Sequence, residues 1–330
     1  MKQSVMDQVV RVSRSFHPGT HLASLCVDVP RARAASLVLR ALAGEAAAAS
    51  KQTTPGLAAI RLGFWRQSAT AAIEGGGGGG GGDRAGAGIG DGSSAPVILA
   101  LRALGAEALI GDTALNRRRL RQIVENAARC SARGAVLDAS GDSAQMYVQR
   151  MSDMEAMAEG VDGNILHLTN TVARAAAGAE AGGVDEFEHA ASHVGKAVGI
   201  VRMIHNSPML ASERRAVLPM ELCLKFGLVM EDLFRGNTSE RLRDTVHAVA
   251  SVAHGHLAQA RDARHIREHK IPVAGRRILL PAVVAQEYLD LLERREFDIF
   301  HPDVQNVDAG GLGQLRLQML LSYSSMLGKY

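Results

Sequence analysis

The sequence predicts an all-α, single-domain helical bundle over residues 1–330, on three observations. Apolar residues recur at steps of three and four along most of the chain, and strand-like alternation is nowhere convincing. Hydrophobic residues make up 47% of the 330 and charged residues 22%, enough to bury a substantial core and to exclude a disordered chain.

Taken in order, helical patterns cover about 5–16, 33–50, 56–73 and 96–109, then 114–132, 144–158 and 161–178. In the segment 190–205, Val194, Ala197, Val198, Val201 and Ile204 share one face, with Lys196 and Arg202 elsewhere on the wheel. The segment 241–261 repeats the form with Leu242, Val246, Val249, Ala253, Leu257 and Ala260, behind an Asn237, Thr238, Ser239 cluster suited to cap its start. Helices over 280–295 and 312–327 complete the set. Pro30, Pro208, Pro219, Pro272 and Pro302 read as helix ends or connections, because proline removes a backbone donor and clashes with the preceding turn.

Twelve of the 35 glycines fall within 75–95, so the glycine excess is one local insert. The expectation there is a disordered Gly-rich coil linking two helices, its ends roughly 25 Å apart on random-coil scaling. Its near-GxGxxG spacings lack the preceding strand and the lysine that a phosphate loop requires. Cys26, Cys130 and Cys223 are far apart, form no CxxC pair and suit a reducing compartment with neither disulfides nor structural zinc. A net charge of +3 with 4% aromatics argues against a nucleic-acid surface. No run of eighteen uncharged apolar residues exists to span a membrane. The first fourteen residues carry Lys2, Arg11 and Arg14 without an apolar signal core, so no cleavable targeting peptide is visible.

Two groups of residues have metal-like spacing. His265 and His269 bracket an HxxEH, but no third ligand follows and Pro272 is close, so an exposed polar turn is the better reading. Asp138 and Asp142 form a DxxxD through Ala, Ser and Gly, a turn composition rather than a rigid helix face. His17 and His21 are four apart, yet Pro18 and Gly19 break the helix such a pair would need. No metal is expected at any of them. Arg117, Arg118, Arg119 and Arg121, with Arg129 and Arg133 beyond, are either a solvated face or a contact for anionic membrane or an acidic partner, worth about 1 kcal/mol per arginine at such a surface. Gly195 and Gly199 form a GxxxG whose small residues would admit a neighbouring helix in the bundle interior.

From Ala190 the chain reads AASHVGKAVGIVRMIHNSPMLASERRAVLPMELCLKFGL. This resembles the second signature of the squalene/phytoene synthase superfamily, a G-x-A-x-Q-L-T-N-I-x-R-D helix followed by R-x-Y-L-P and an F-G-L turn. Gly195, Ala197, Arg215, Leu218, Pro219, Phe226, Gly227 and Leu228 carry the match. Leu39-Arg40-Ala41-Leu42, with Trp65 on the next helix, resembles the first signature. The resemblance implies an isoprenoid-synthase-like bundle. The superfamily's enzymes join two prenyl diphosphates head to head and use DxxxD pairs to hold Mg²⁺, whose hard charge needs carboxylate oxygens. Here the first pair is replaced at Ala43 and Ala47, with only Glu45 nearby. The second is replaced at Asn206, which follows His205, and at Leu210.

Loss of both clamps is the norm in one branch of the superfamily, the mitochondrial complex I assembly factors with a squalene/phytoene synthase-like domain. The segments AASHVGKAVGIV at 190–201, VLPMELC at 217–223 and FDIFHP at 297–302 are similar to that branch in wording and order. The resemblance implies a pseudo-enzyme without cofactor that acts early in biogenesis of a membrane-arm subunit. It implies complex I subunits or other assembly factors as partners. It also implies a peripheral place on the matrix side of the mitochondrial inner membrane, in contact with its lipid. The alternative is an active head-to-head prenyl synthase using displaced carboxylates, Glu45, Asp138 and Asp142.

Overall fold

A computed structural model describes residues 3–51, 55–74, 95–107, 109–131, 148–178, 184–262, 271–307 and 312–330, and among them there are helices and no strand. Helices α1 (Gln3–Phe16), α2 (Pro18–Leu25), α3 (Pro30–Ser50), α4 (Pro55–Glu74), α5 (Pro96–Ala106) and α6 (Ala114–Ser131) form the first half. Helix α7 (Met151–Ala158) runs through a single π-turn, Glu159–Gly163, into α8 (Asn164–Ala177). The long α9 (Val184–Ser212) is followed by the short α10 (Met220–Lys225) and α11 (Met230–Phe234) and by α12 (Glu240–Ala260). Helices α13 (Val273–Ile278), α14 (Pro281–Arg294), α15 (Pro302–Gln305) and α16 (Leu312–Leu327) close the described chain.

The core has two main parts. One gathers Leu39, Leu42, Leu101, Leu120 and Ile123 around α3, α5 and α6; the other gathers Val194, Ala197, Val201, Val246 and Leu257 around α9 and α12. They meet at the π-turn, whose Val161 belongs to the first while Ala158 just before it belongs to the second. The glycines on α9 make that junction. A Cβ on Gly195 would stand 2.3 Å from Gly163 Cα, and one on Gly199 would stand 2.6 Å from Ala158 Cα. Only hydrogen allows the two backbones to approach so closely, which is the role the GxxxG spacing predicts.

Two expectations are corrected. Pro208 lies inside α9, which continues to Ser212 because Leu210 and Ala211 beyond it are buried in the core. Its ring removes one interior backbone donor, a loss that the burial beyond it offsets. Pro18 interrupts the α1 path, but it also opens a helix of its own: it is the first residue of α2, and His17 caps it by accepting from Thr20 N–H through Nδ1 at 3.2 Å. Short helices such as α2, α10 and α13 have too few turns to show periodicity. The insert (75–94), Asp138, Asp142, Arg133 and the His265–His269 motif lie outside the described residues.

Candidate functional site

Where the two core halves meet, three charged side chains are fully enclosed: Arg40 from α3, Asp162 from the π-turn and Arg202 from α9, at 1%, 2% and 2% exposure. The extra residue of a π-turn re-aims the side chains it carries, and here it turns a carboxylate inward between two helices. Arg202 donates to Asp162 Oδ2 through both Nε, at 3.2 Å, and Nη2, at 3.0 Å. Arg40 is held less closely. Its Nη1 stands 3.6 Å from Asp162 Oδ1, while its Nε donates to Ser24 Oγ at 2.9 Å. Ser24 donates onward to Thr20 O, which leaves its oxygen free to accept from Arg40 and from Ser36 Oγ at 2.9 Å. The Phe16 ring covers the Arg202 guanidinium at 5.0 Å.

Two cations share one anion, so the centre carries a surplus positive charge in a water-poor interior. Burial pulls the Arg40 guanidinium down to about 10 against the attraction of Asp162. Burial also opposes the charge on Arg202, but Asp162 and Cys130 outweigh it and raise its affinity for the proton. The opposite directions follow from geometry, since Arg202 owns the two short contacts. The surplus reaches the neighbouring imidazoles. Burial, then His205, Arg202 and Arg40, depress His17, and burial with Arg14 and Arg40 brings His21 to about 4, so both are neutral at physiological pH.

Three of the four substituted clamp positions are buried. Ala43 and Ala47 are among them, and between them α1 packs on α3 at Gly44, where a Cβ would meet Val12 Cγ1 at 3.0 Å and Phe16 Cβ at 3.2 Å. Leu210 is buried in the core and Asn206 is half-buried. Burial raises the Glu45 carboxyl, which lowers its readiness to serve as an anionic ligand. Asp162 is already bound by two arginines. This donor set does not fit Mg²⁺, which asks for several carboxylate or water oxygens in octahedral array.

A cavity of about 310 Å³ lies beyond the centre, between α14, α15 and α16, with His17, His205 and Tyr288 on its inner side. None of Ala43, Ala47, Asn206 and Leu210 lines it. The arginines singled out on α6 divide into two sets. Arg117 pairs with Asp112 at 2.8 Å, and Arg119 points inward to Glu188 at 2.7 Å with its side chain 12% exposed. Arg118 and Arg121, together with Arg129, stand on the exposed face.

The family model described as squalene/phytoene synthase matches residues 9–310. The chain belongs to the squalene/phytoene synthase family. Solved relatives agree in fold: a squalene synthase of Alicyclobacillus acidocaldarius superposes with a TM-score of 0.62 at 12% identity, over 90% of this chain and 97% of that one. A dehydrosqualene synthase superposes with a TM-score of 0.66 at 13% identity, over 98% and 99%. Among curated proteins, the Mus musculus protein named NADH dehydrogenase (ubiquinone) complex I, assembly factor 6 is 37% identical over 47% of this chain and 43% of its own length. The Homo sapiens protein of the same name is 35% identical over 48% and 44%. The matched stretch is thus less than half the length of these relatives. Within the family, the Arg40–Asp162–Arg202 centre was not singled out from sequence as a site. Its signal was present, in single arginines inside the apolar runs LVLRALA and GIVRMI, where a buried charge must find a partner.

Proposed function

We propose that this protein is a non-catalytic assembly factor for mitochondrial respiratory complex I, acting early in biogenesis of a membrane-arm subunit through complex I subunits or other assembly factors. The observation that carries the reading is the identity of 35–37% to mammalian proteins named as complex I assembly factor 6. Its pseudo-enzyme character is supported by chemistry. Prenyl diphosphate ionisation needs two carboxylate clamps, and the four positions are Ala43, Ala47, Asn206 and Leu210, three of them buried. It works without a cofactor, attached peripherally to the matrix side of the inner membrane. No helix of the described residues is long and apolar enough to cross a membrane. Arg118 and Arg121 are its exposed basic contacts for lipid or partner, and Arg117 and Arg119 contribute less because they are engaged internally.

The test is deletion of the gene followed by native-gel separation of respiratory complexes. Complex I should fall while the other complexes persist, and re-expression should restore it. Normal complex I in the deleted cells would refute the proposal.

A further inference from the structure

Helix α16 is apolar on two sides, and the described chain covers only one. Its inner side packs Leu317 and Leu321 against Leu22, Leu280 and Val284. Its outer side presents Leu315, Met319, Tyr323, Met326 and Leu327 at helical spacing, with Met319 74% and Met326 81% exposed. A helix apolar nearly all round is normally buried. Side chains of this size leave on the order of several hundred Å² open, at the upper end of the roughly 300–600 Å² patch usual for a monomer.

Charge indicates what covers this face. Residues 312–330 contain Arg316 and Lys329 and no Asp or Glu. Arg276 and Arg277 of α13 reach the same helix, donating to Gly328 O at 3.3 Å and Ser325 O at 3.5 Å. Of the carboxylates near it, Glu287 is held by Arg316 at 3.0 Å, Asp28 by Arg277 at 2.6 Å and Asp303 by Arg295. The rim therefore keeps a positive surplus around an apolar stripe. A protein interface surrounds its apolar core with a polar rim; an anionic lipid surface matches a rim of one sign, and adds attraction for each cation. Tyr323 suits the headgroup level, with an apolar ring and a polar tip.

We propose that α16 is the surface through which the protein rests on an anionic lipid bilayer, lying in the interface plane with Leu315, Met319, Tyr323 and Met326 among the acyl chains. This rests on the peripheral membrane attachment proposed above and assigns it a place. The full chain is tested by flotation with phosphatidylcholine vesicles, with and without cardiolipin. Met319→Glu/Met326→Glu should weaken binding to cardiolipin vesicles by more than about tenfold, since two inserted apolar chains become charged. The melting temperature should hold, because both side chains are exposed. Tyr323→Trp should show a blue-shifted emission on binding, read as the difference from the parent with its single Trp65. Unchanged binding of the Glu variant, or no emission shift, overturns the proposal. So does a dimer in solution that the Glu variant converts to monomer, because the face then belongs to a second copy. Rescue of complex I in deleted cells by the Glu variant also overturns it while leaving the assembly function standing, so the two readings fail separately.

Discussion

Replacing Asp162 by Asn tests the buried centre most directly. The amide keeps the shape of the carboxylate and removes its charge, leaving Arg40 and Arg202 facing each other at 1% and 2% exposure with no anion between them. Removing one partner of a buried pair costs about 3–5 kcal/mol, because the remaining charge stays desolvated. For a chain of this size roughly 2 °C of melting temperature accompanies each kcal/mol, so the midpoint should fall by about 6–10 °C. The arginines should not be equivalent. Arg202→Met strips Asp162 of its contacts at 3.0 and 3.2 Å and should cost about 2–4 kcal/mol. Arg40→Met removes the surplus cation, whose Nη1 stands 3.6 Å from Asp162 and has no hydrogen-bond partner, and should cost about 1 kcal/mol or less. The order is read from thermal melts followed by circular dichroism and confirmed by denaturant midpoints at constant slope. A loss below about 1 kcal/mol for Asp162→Asn, or a greater loss for Arg40→Met than for Arg202→Met, would refute the assignment of charge.

Acid should destabilise the fold through its buried imidazoles. His17 is depressed, and burial holds His21 and His193 down to about 4 from 6.5, so the unfolded chain binds protons that the folded one refuses. This contribution is complete above about 6.5 and is lost as pH falls toward 4; melting temperature against pH should show it, and a rise on acidification in that window would contradict it. Gly199→Ala places a methyl 2.5 Å from Ala158 Cβ and 2.6 Å from its Cα, so α9 must shift; a loss of 3 kcal/mol or more is expected by denaturant melts, and a neutral outcome would mean that the backbones are farther apart. Ala43→Asp, the first step in rebuilding a metal clamp, should lower stability without creating Mg²⁺-dependent diphosphate binding by calorimetry, because the carboxylate would lie at a position with 0% exposure.

Much of this fold was legible because its helices are long. Leu242, Val246, Val249, Ala253 and Leu257 repeat over about four turns, and all five are buried along one side of α12. The GxxxG on α9 was also readable, since its only physical use away from lipid is close approach. What was hidden depends on contacts distant in sequence. Nothing near Asp162 announces that a π-turn will aim it at residues 40 and 202, and nothing near Arg119 announces Glu188 from α9. The substitutions at Ala43 and Ala47 were visible, but not that α1 packs against Gly44 between them. The open face of α16 is not legible in the sequence, because apolar residues at helical spacing such as Leu315, Met319 and Tyr323 look the same whether or not a neighbour covers them.

The sign of the buried charge decides what the interior can accept. A synthase site must present carboxylates to an aqueous cavity so that metal ions can meet a diphosphate. Here the one carboxylate faces two arginines, and Phe16 and Val12 close the approach from α1. Unpacking α1 from α3 to admit an anion would expose Val9, Leu39 and Leu42 to water. Each such side chain costs about 1.5–3 kcal/mol to expose, more in sum than one added ion pair in a solvated cleft returns. A cavity of about 310 Å³ lies beside His17 and His205. There Glu287 is bound to Arg316, and Asp303 to Arg295 just outside the lining, so the walls hold no unmet carboxylate pair to gather Mg²⁺. The family fold thus holds, in this chain, a buried carboxylate between two arginines where α1, the π-turn and α9 meet.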